Sequence, residues 1–318
     1  MNVVNIVPML PPPPPQAEAP HVPVLLDETL AALAPREGAL IVDATLGAGG
    51  HSEAMLEAGA RVIGLDRDDV ALAIAAARLE RFGDRFTPVR AAFSTLCEAL
   101  DGIGVRTVDG ILADVGVSSM QLDEPARGMS FRQEGPLDMR MDRSSGETAL
   151  ELIERLDDDE LADVIYKLGE ERRSRRVAKC IKQALAAGEL ATTLDLRRAV
   201  VRAVGPSRVG GVDPSTRTFQ ALRIAVNREL EELGALLAGA PSVLAHGGVL
   251  AVISFHSLED RIVKRAFSDR EVWSPLTKKP VVASDRETAK NPRARSAKLR
   301  AARLAAGQEG FDSSEVDA

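Results

Sequence analysis

In Ile41-Val42-Asp43-Ala44-Thr45-Leu46-Gly47-Ala48-Gly49-Gly50-His51, a short apolar run gives way to glycines. Glycines where a strand ends and a helix begins permit a tight turn and let a ligand approach the backbone closely. Asp66 closes the next apolar run, 19 residues after Gly47. A carboxylate about 20 residues beyond such a turn can accept hydrogen bonds from both hydroxyls of a ribose. The glycines alone specify only a turn; with Asp66 they predict a nucleoside-containing cofactor. A third apolar run delivers Asp114 to its carboxyl end, the edge at which open α/β sheets bind ligands. Asp114 therefore reads as a site residue, with an Asx turn at the start of a loop as the alternative.

Two cofactor classes suit this layout. A dinucleotide turn places Gly or Ala at its third position for close helix packing, where this chain has Ser52. S-adenosylmethionine (SAM) has no pyrophosphate and does not require that helix end, so the departure favours SAM over a nicotinamide dinucleotide. Asp43 either faces the ammonium of the methionine moiety or stabilises the turn.

The elements needed to position these residues follow from periodicity. Runs at residues 40–43, 61–66, 86–90, 108–114 and 249–255 have strand character. Residues 51–58 and 70–81 between them have helix character. Strands alternating with crossover helices predict an α/β fold with a parallel sheet covered on both faces. The alternation stops after Asp114 and resumes near Gly248, too long a gap for one connection. Helical patterns at 159–167, 171–187 and 193–204 fill it, which predicts an inserted helical domain. Pro214-Ser215 then opens what reads as one long helix, its stripe of Leu222, Val226, Leu230, Leu233 and Leu237 expected against the sheet. Residues 273–291 read as loop, and 295–304 fit a strand or a helix.

Composition bounds the function. The chain has 318 residues, 45% hydrophobic and 27% charged, which is globular. No apolar run approaches the roughly 18 residues that span a bilayer. The Pro11–Pro15 run marks residues 1–20 as a disordered leader, and a disordered tail is expected over 305–318. Cys97 and Cys180 are too few for a disulfide framework and lack zinc-site spacing, so no metal and a reducing, cytoplasmic setting are expected. A net charge of −7 argues against a polyanionic partner on average. Arg172, Arg173, Arg175, Arg176, Lys179 and Lys182 nevertheless concentrate positive charge on one helix, as an RNA contact or as a solvated face.

Eight blocks in order carry a resemblance: His21-Val-Pro-Val-Leu-Leu-Asp-Glu28; the Gly49-Gly-His51 turn; Asp114-Val-Gly-Val-Ser-Ser119; Gly135-Pro-Leu-Asp-Met-Arg-Met-Asp142; Gly169-Glu-Glu-Arg172; Thr216-Arg-Thr-Phe-Gln-Ala-Leu-Arg223; Ser254-Phe-His-Ser-Leu-Glu-Asp-Arg261; and Asn291-Pro-Arg-Ala-Arg295. The chain resembles the bacterial 16S ribosomal RNA cytosine-N4 methyltransferases, the RsmH or MraW family, over residues 21–304. The resemblance implies a Rossmann-like class I SAM-dependent methyltransferase sheet, discontinuous over 21–117 and 216–304, with a helical substrate-recognition domain inserted at 118–215. It implies methyl transfer from SAM to the exocyclic amine of one cytidine in the decoding region of 16S ribosomal RNA, in the small subunit. Its cofactor positions fall on Gly49, Gly50, His51, Asp66, Phe93, Asp114 and Gln121. Phe93 would stack beside adenine, or is a core residue; His51 lines the site, or caps a turn.

The amine must be aligned and its N–H bonds accepted, by Asp114 or a neighbouring carbonyl. His256, at the end of the fifth strand, is a second catalytic candidate through substrate contact, with a structural role as the alternative. Arg217 and Arg223 touch RNA phosphate or form a solvated face. Many amine methyltransferases carry Asp-Pro-Pro-Tyr where this chain has Asp114-Val-Gly-Val, which leaves the stacking of the target base unassigned. Methylation at cytosine carbon 5 is disfavoured, because Cys97 follows Leu96 and Cys180 follows Lys179 rather than proline. Rival readings are a non-catalytic SAM-sensing RNA-binding or assembly factor and a nicotinamide-dependent oxidoreductase. The oligomeric state stays open between monomer and homodimer.

Overall fold

The apolar runs assemble into one sheet. The computed structural model describes residues 23–117, 119–206 and 213–305; the predicted leader, and the tail beyond Ala305, lie outside them. Strands β1 (Leu40–Asp43), β2 (Arg61–Asp66), β3 (Phe86–Arg90), β4 (Val108–Asp114), β5 (Leu244–Ser254), β6 (Trp273–Pro275), β7 (Val281–Val282) and β8 (Lys298–Leu304) take the order β3-β2-β1-β4-β5-β8-β6, with β7 also on β8. The pairs from β3 to β5 are parallel and those of β8 antiparallel. Strand order reverses between β1 and β4, and the crevice outside the carboxyl ends at such a switch point is where doubly wound sheets take ligands.

Helices before β4 are α1 (Leu26–Leu33), α2 (Gly50–Glu57), α3 (Asp69–Leu79) and α4 (Leu96–Gly102). Between β4 and β5 come α5 (Ser119–Asp123), α6 (Ala149–Arg155), α7 (Asp158–Gly169), α8 (Ser174–Ala186), α9 (Thr193–Val204), α10 (Thr216–Asn227) and α11 (Glu229–Val243). After β5 come α12 (Ser257–Ala266) and α13 (Asp285–Lys290).

Side chains alternate across the sheet with the two-residue period of a strand. Val42, Ile63, Ile111 and Leu250 pack on one face with Leu96, Leu100, Leu233 and Leu237. Ile41, Val62, Leu112 and Ala251 pack on the other with Leu33, Met55, Leu56 and Leu79. Burial on both faces explains why these strands read as apolar runs. The helices after β4 have a third core, built on Leu152, Ile165, Ile181, Leu196 and Phe219 among others. Capping boxes at Thr148, Asp157 and Thr192 set the starts of α6, α7 and α9.

The single long helix expected after Pro214 is two. Arg228 takes a left-handed conformation (φ 52°) between α10 and α11. At the break, the Asn227 side chain accepts from the Met141 N–H and donates to the Met139 carbonyl. Phe219 and Leu222 therefore join the helical core, while Leu233, Leu236 and Leu237 join the sheet core. Residues 273–291, expected as loop, contain β6, β7 and α13, and the ambiguous 295–304 segment contains the strand β8. Among the described residues, no helix is long and apolar enough to cross a membrane.

Candidate active site

The glycine turn is held to the neighbouring strand by its own backbone. The N–H of Gly47 (φ 52°) donates to Asp66 Oδ2 at 2.9 Å, and that of Asp68 donates to Asp66 Oδ1 at 2.9 Å. Burial, the largest influence, pushes the Asp66 carboxyl above the usual carboxylate range, while these two donors oppose the shift. Leu46 stands over Gly64 of β2, where a Cβ would lie 2.6 Å from its Cδ1. A glycine inside the strand thus makes room for the turn.

Asp43 lies behind the turn, buried, accepting from the Ser52 hydroxyl at 2.7 Å and the Thr45 N–H at 3.2 Å. Desolvation raises its pKa to about 6. The structure thus gives Asp43 the turn-stabilising role, and the Ser52 hydroxyl, rather than a glycine or alanine, serves it.

At the β4 tip the Asp114 N–H donates to Thr45 Oγ1 at 2.7 Å, which joins the two strand ends. Asp114 Oδ1 is buried without a hydrogen-bond partner, although the side chain as a whole is 25% exposed. Desolvation, with Asp43 and Glu259 nearby, pushes the carboxyl up to about 8. Asp114 Oδ2 lies 3.9 Å from His51 Nδ1. His51 Nε2 is 3.0 Å from the Val24 carbonyl, which can only accept, so Nε2 carries the proton and Nδ1 is bare. Burial holds His51 down at about 4, so the contact joins two neutral groups near pH 7 rather than an ion pair.

Gly50, His51, Asp66, Phe93, Asp114 and Gln121 all line one cavity of about 570 Å³. Phe93 is half-buried, lines the cavity and packs on the sheet core. Gln121, on α5, donates to Asp68 Oδ2 at 3.4 Å, beside the Arg127 guanidinium at 2.5 Å on the same oxygen. Two predicted residues are not on this wall. Gly49 faces α3, where a Cβ would lie 3.1 Å from Leu79. His256 caps α12, with Nε2 3.0 Å from Glu259 Oε1 but not aligned as a hydrogen bond.

Sequence reasoning missed Thr45, whose hydroxyl ties the two strand tips, and Phe255, which lines the cavity. Arg223 also lines it, and its Nε and Nη2 donate to the two oxygens of Glu229 at 2.7 and 2.9 Å. Glu229, His256 and Glu259 bring ligand-type atoms within 4.8 Å of one another, but the Arg223 guanidinium already occupies both Glu229 oxygens. Residues from distant segments meet here, and no local motif signals that meeting.

The donor set suits SAM. Backbone and carboxylate at the first two strand tips match a ribose, and an orphaned carboxyl oxygen at the third offers an acceptor to a cationic or amine group.

The MraW methylase family matches residues 18–305. A ribosomal RNA small subunit methyltransferase H of Sorangium cellulosum is 71% identical over 314 residues, covering 98% of this chain and 100% of that protein. Proteins of the same description from Bradyrhizobium diazoefficiens and Deinococcus radiodurans are 51% and 49% identical, covering 90% and 91% of this chain and 92% and 91% of theirs. The match takes in every strand of the sheet and both carboxylates of the cavity, and the chain belongs to the MraW methylase family.

Proposed function

We propose that this chain transfers the methyl group of SAM to the exocyclic N4 amine of a cytidine in the decoding region of 16S ribosomal RNA, acting on the small ribosomal subunit in the cytoplasm. The observation that carries the reading is the unpartnered Oδ1 of Asp114, in the same cavity as the Asp66 carboxylate. Gly50, His51, Asp66, Phe93 and Gln121 hold the cofactor, with Gly49 supporting the turn from behind. Bound SAM supplies an electrophilic methyl on a sulfonium. Asp114 sheds its own proton when positive charge enters the cavity, then accepts an N–H bond of the amine, whose lone pair is otherwise delocalised into the ring. His256 takes the structural role, capping α12. The methyltransferase domain is the sheet with its covering helices, and the helices from α6 to α10, which share the third core, are the RNA-holding insertion; α10, expected with the sheet from residue 216, packs with the insertion instead.

Titration calorimetry with SAM tests the cofactor site. Asp66→Ala loses the ribose acceptor, and affinity falls roughly 10- to 100-fold for hydrogen bonds to a charged group. Unchanged affinity would contradict the placement.

A further inference from the structure

The cavity holds a guanidinium that cofactor binding does not use. Arg223 extends from α10 into the wall with its side chain 15% exposed. Glu229 engages one edge of the planar fork through Nε and Nη2. In that geometry the other edge, Nη1 with the outer N–H of Nη2, points away from Glu229 as two parallel donors. The carboxylate thus fixes the group in direction and preserves its charge.

Phe255 lines the same cavity, half-buried. Its ring lies over Gly116, where a Cβ would be 3.3 Å from Phe255 Cδ2 at a backbone φ of 119°. Gly116 stands two residues after Asp114, so the ring flanks the β4 tip. The Phe255 N–H donates to Glu259 Oε2 at 2.8 Å. Asp114, Arg223 and Phe255 line this same cavity, and the Glu259 charge acts on both Asp114 and Arg223.

We infer that Arg223 reads the acceptor edge of the target cytosine and Phe255 supports the face of its ring, so that the amine arrives at Asp114. Cytosine presents two adjacent acceptors, N3 and O2, beside its amine donor. A fork of two parallel donors matches the acceptors, and an orphaned carboxyl oxygen matches the amine. Uracil offers an N–H at position 3 and a carbonyl at position 4, so it meets the guanidinium donor to donor and the carboxylate acceptor to acceptor. Stacking on an aromatic ring holds any base, and the edge contacts choose among them. Arg223 is then a specificity-determining residue and Glu229 the residue that positions it. This inference rests on the N4-methylation reading.

The test is a double-mutant cycle between Arg223 and one atom of the substrate. Small-subunit RNA is assembled with cytidine or 3-deazacytidine, which lacks the N3 acceptor, at the methylated position. It is reacted with SAM and either the parent enzyme or Arg223→Met combined with Glu229→Gln, which avoids an orphaned buried charge. Removing N3 lowers the parent's kcat/KM roughly 10- to 100-fold, the value of a bidentate base contact. The variant on cytidine loses a similar factor, the two changes together lose little more than either alone, and SAM affinity by calorimetry is unchanged. Losses that multiply independently overturn the contact. Should the variant fail to fold, the parent decides alone: full activity on 3-deazacytidine overturns the inference. Absence of N4-methylcytidine from the parent reaction overturns the functional reading and this contact together, whereas independent losses with normal product overturn only the contact.

Discussion

Asp114 holds a carboxyl where neither protonation state is well served: its Oδ1 has no donor, and burial with two carboxylates nearby raises its pKa from 3.8 to about 8. The folded state therefore binds a proton that the unfolded chain releases. The stability tied to the neutral form is whole below about 4 and is lost as pH rises through about 8. Asp114→Asn keeps a neutral side chain at every pH. In thermal melts, the variant's melting temperature should gain on the parent's between those two values and then level off. As proton acceptor, the carboxyl must be ionised, so the parent's kcat/KM for SAM, which reports the free enzyme, should rise with pH to a plateau above about 8. Asp114→Asn should lower kcat/KM at least ~100-fold and abolish that rise. A variant that keeps the parent's pH profile would remove Asp114 from proton transfer. Asp66 and Asp114 were legible because strand-end carboxylates follow from the hydrophobic runs before them. Gly49 and Gly50 were not separable, since which glycine faces α3 depends on Leu79.

At the scale of elements, the cofactor turn depends on what β2 leaves empty. Gly64→Ala places a Cβ 2.6 Å from Leu46. Overpacking of this kind costs about 1–3 kcal/mol. The displaced Leu46 carries Gly47 away from Asp66, so denaturant melts should show the lost stability and calorimetry a weaker SAM affinity. Stability lost without an affinity change would uncouple the turn from the strand. Strands β1, β2 and β4 were readable because burial on both faces leaves an apolar signature. The break at Arg228 was not, because the apolar stripe continues through it and the contacts that stabilise it come from Met139 and Met141, more than 80 residues earlier. The short strands β6 and β7 exist through pairing with β8, which no local period records.

Across the whole molecule, the helices after β4 form their own core, yet they are tied to the cofactor site. Arg127 bonds Asp68, two residues beyond Asp66, and the Met141 carbonyl. The side chains of Arg172, just before α8, and of Arg176 and Lys179 on it are exposed, a local concentration of positive charge in a chain of net charge −7. Reversing these three charges should weaken binding to small-subunit RNA and flatten the dependence of log affinity on log salt by roughly 2 to 3. SAM affinity should stay at the parent value. An unchanged salt slope would make the face a solvated one.

The most direct test of the account uses purified protein, SAM with an isotope-labelled methyl, and small-subunit RNA from cells lacking this gene, followed by mass spectrometry of the digested nucleosides. The expected result is one labelled product, cytidine methylated on its exocyclic amine, and none with Asp114→Asn. Label on carbon 5 of cytidine, on another nucleoside or on none would contradict it.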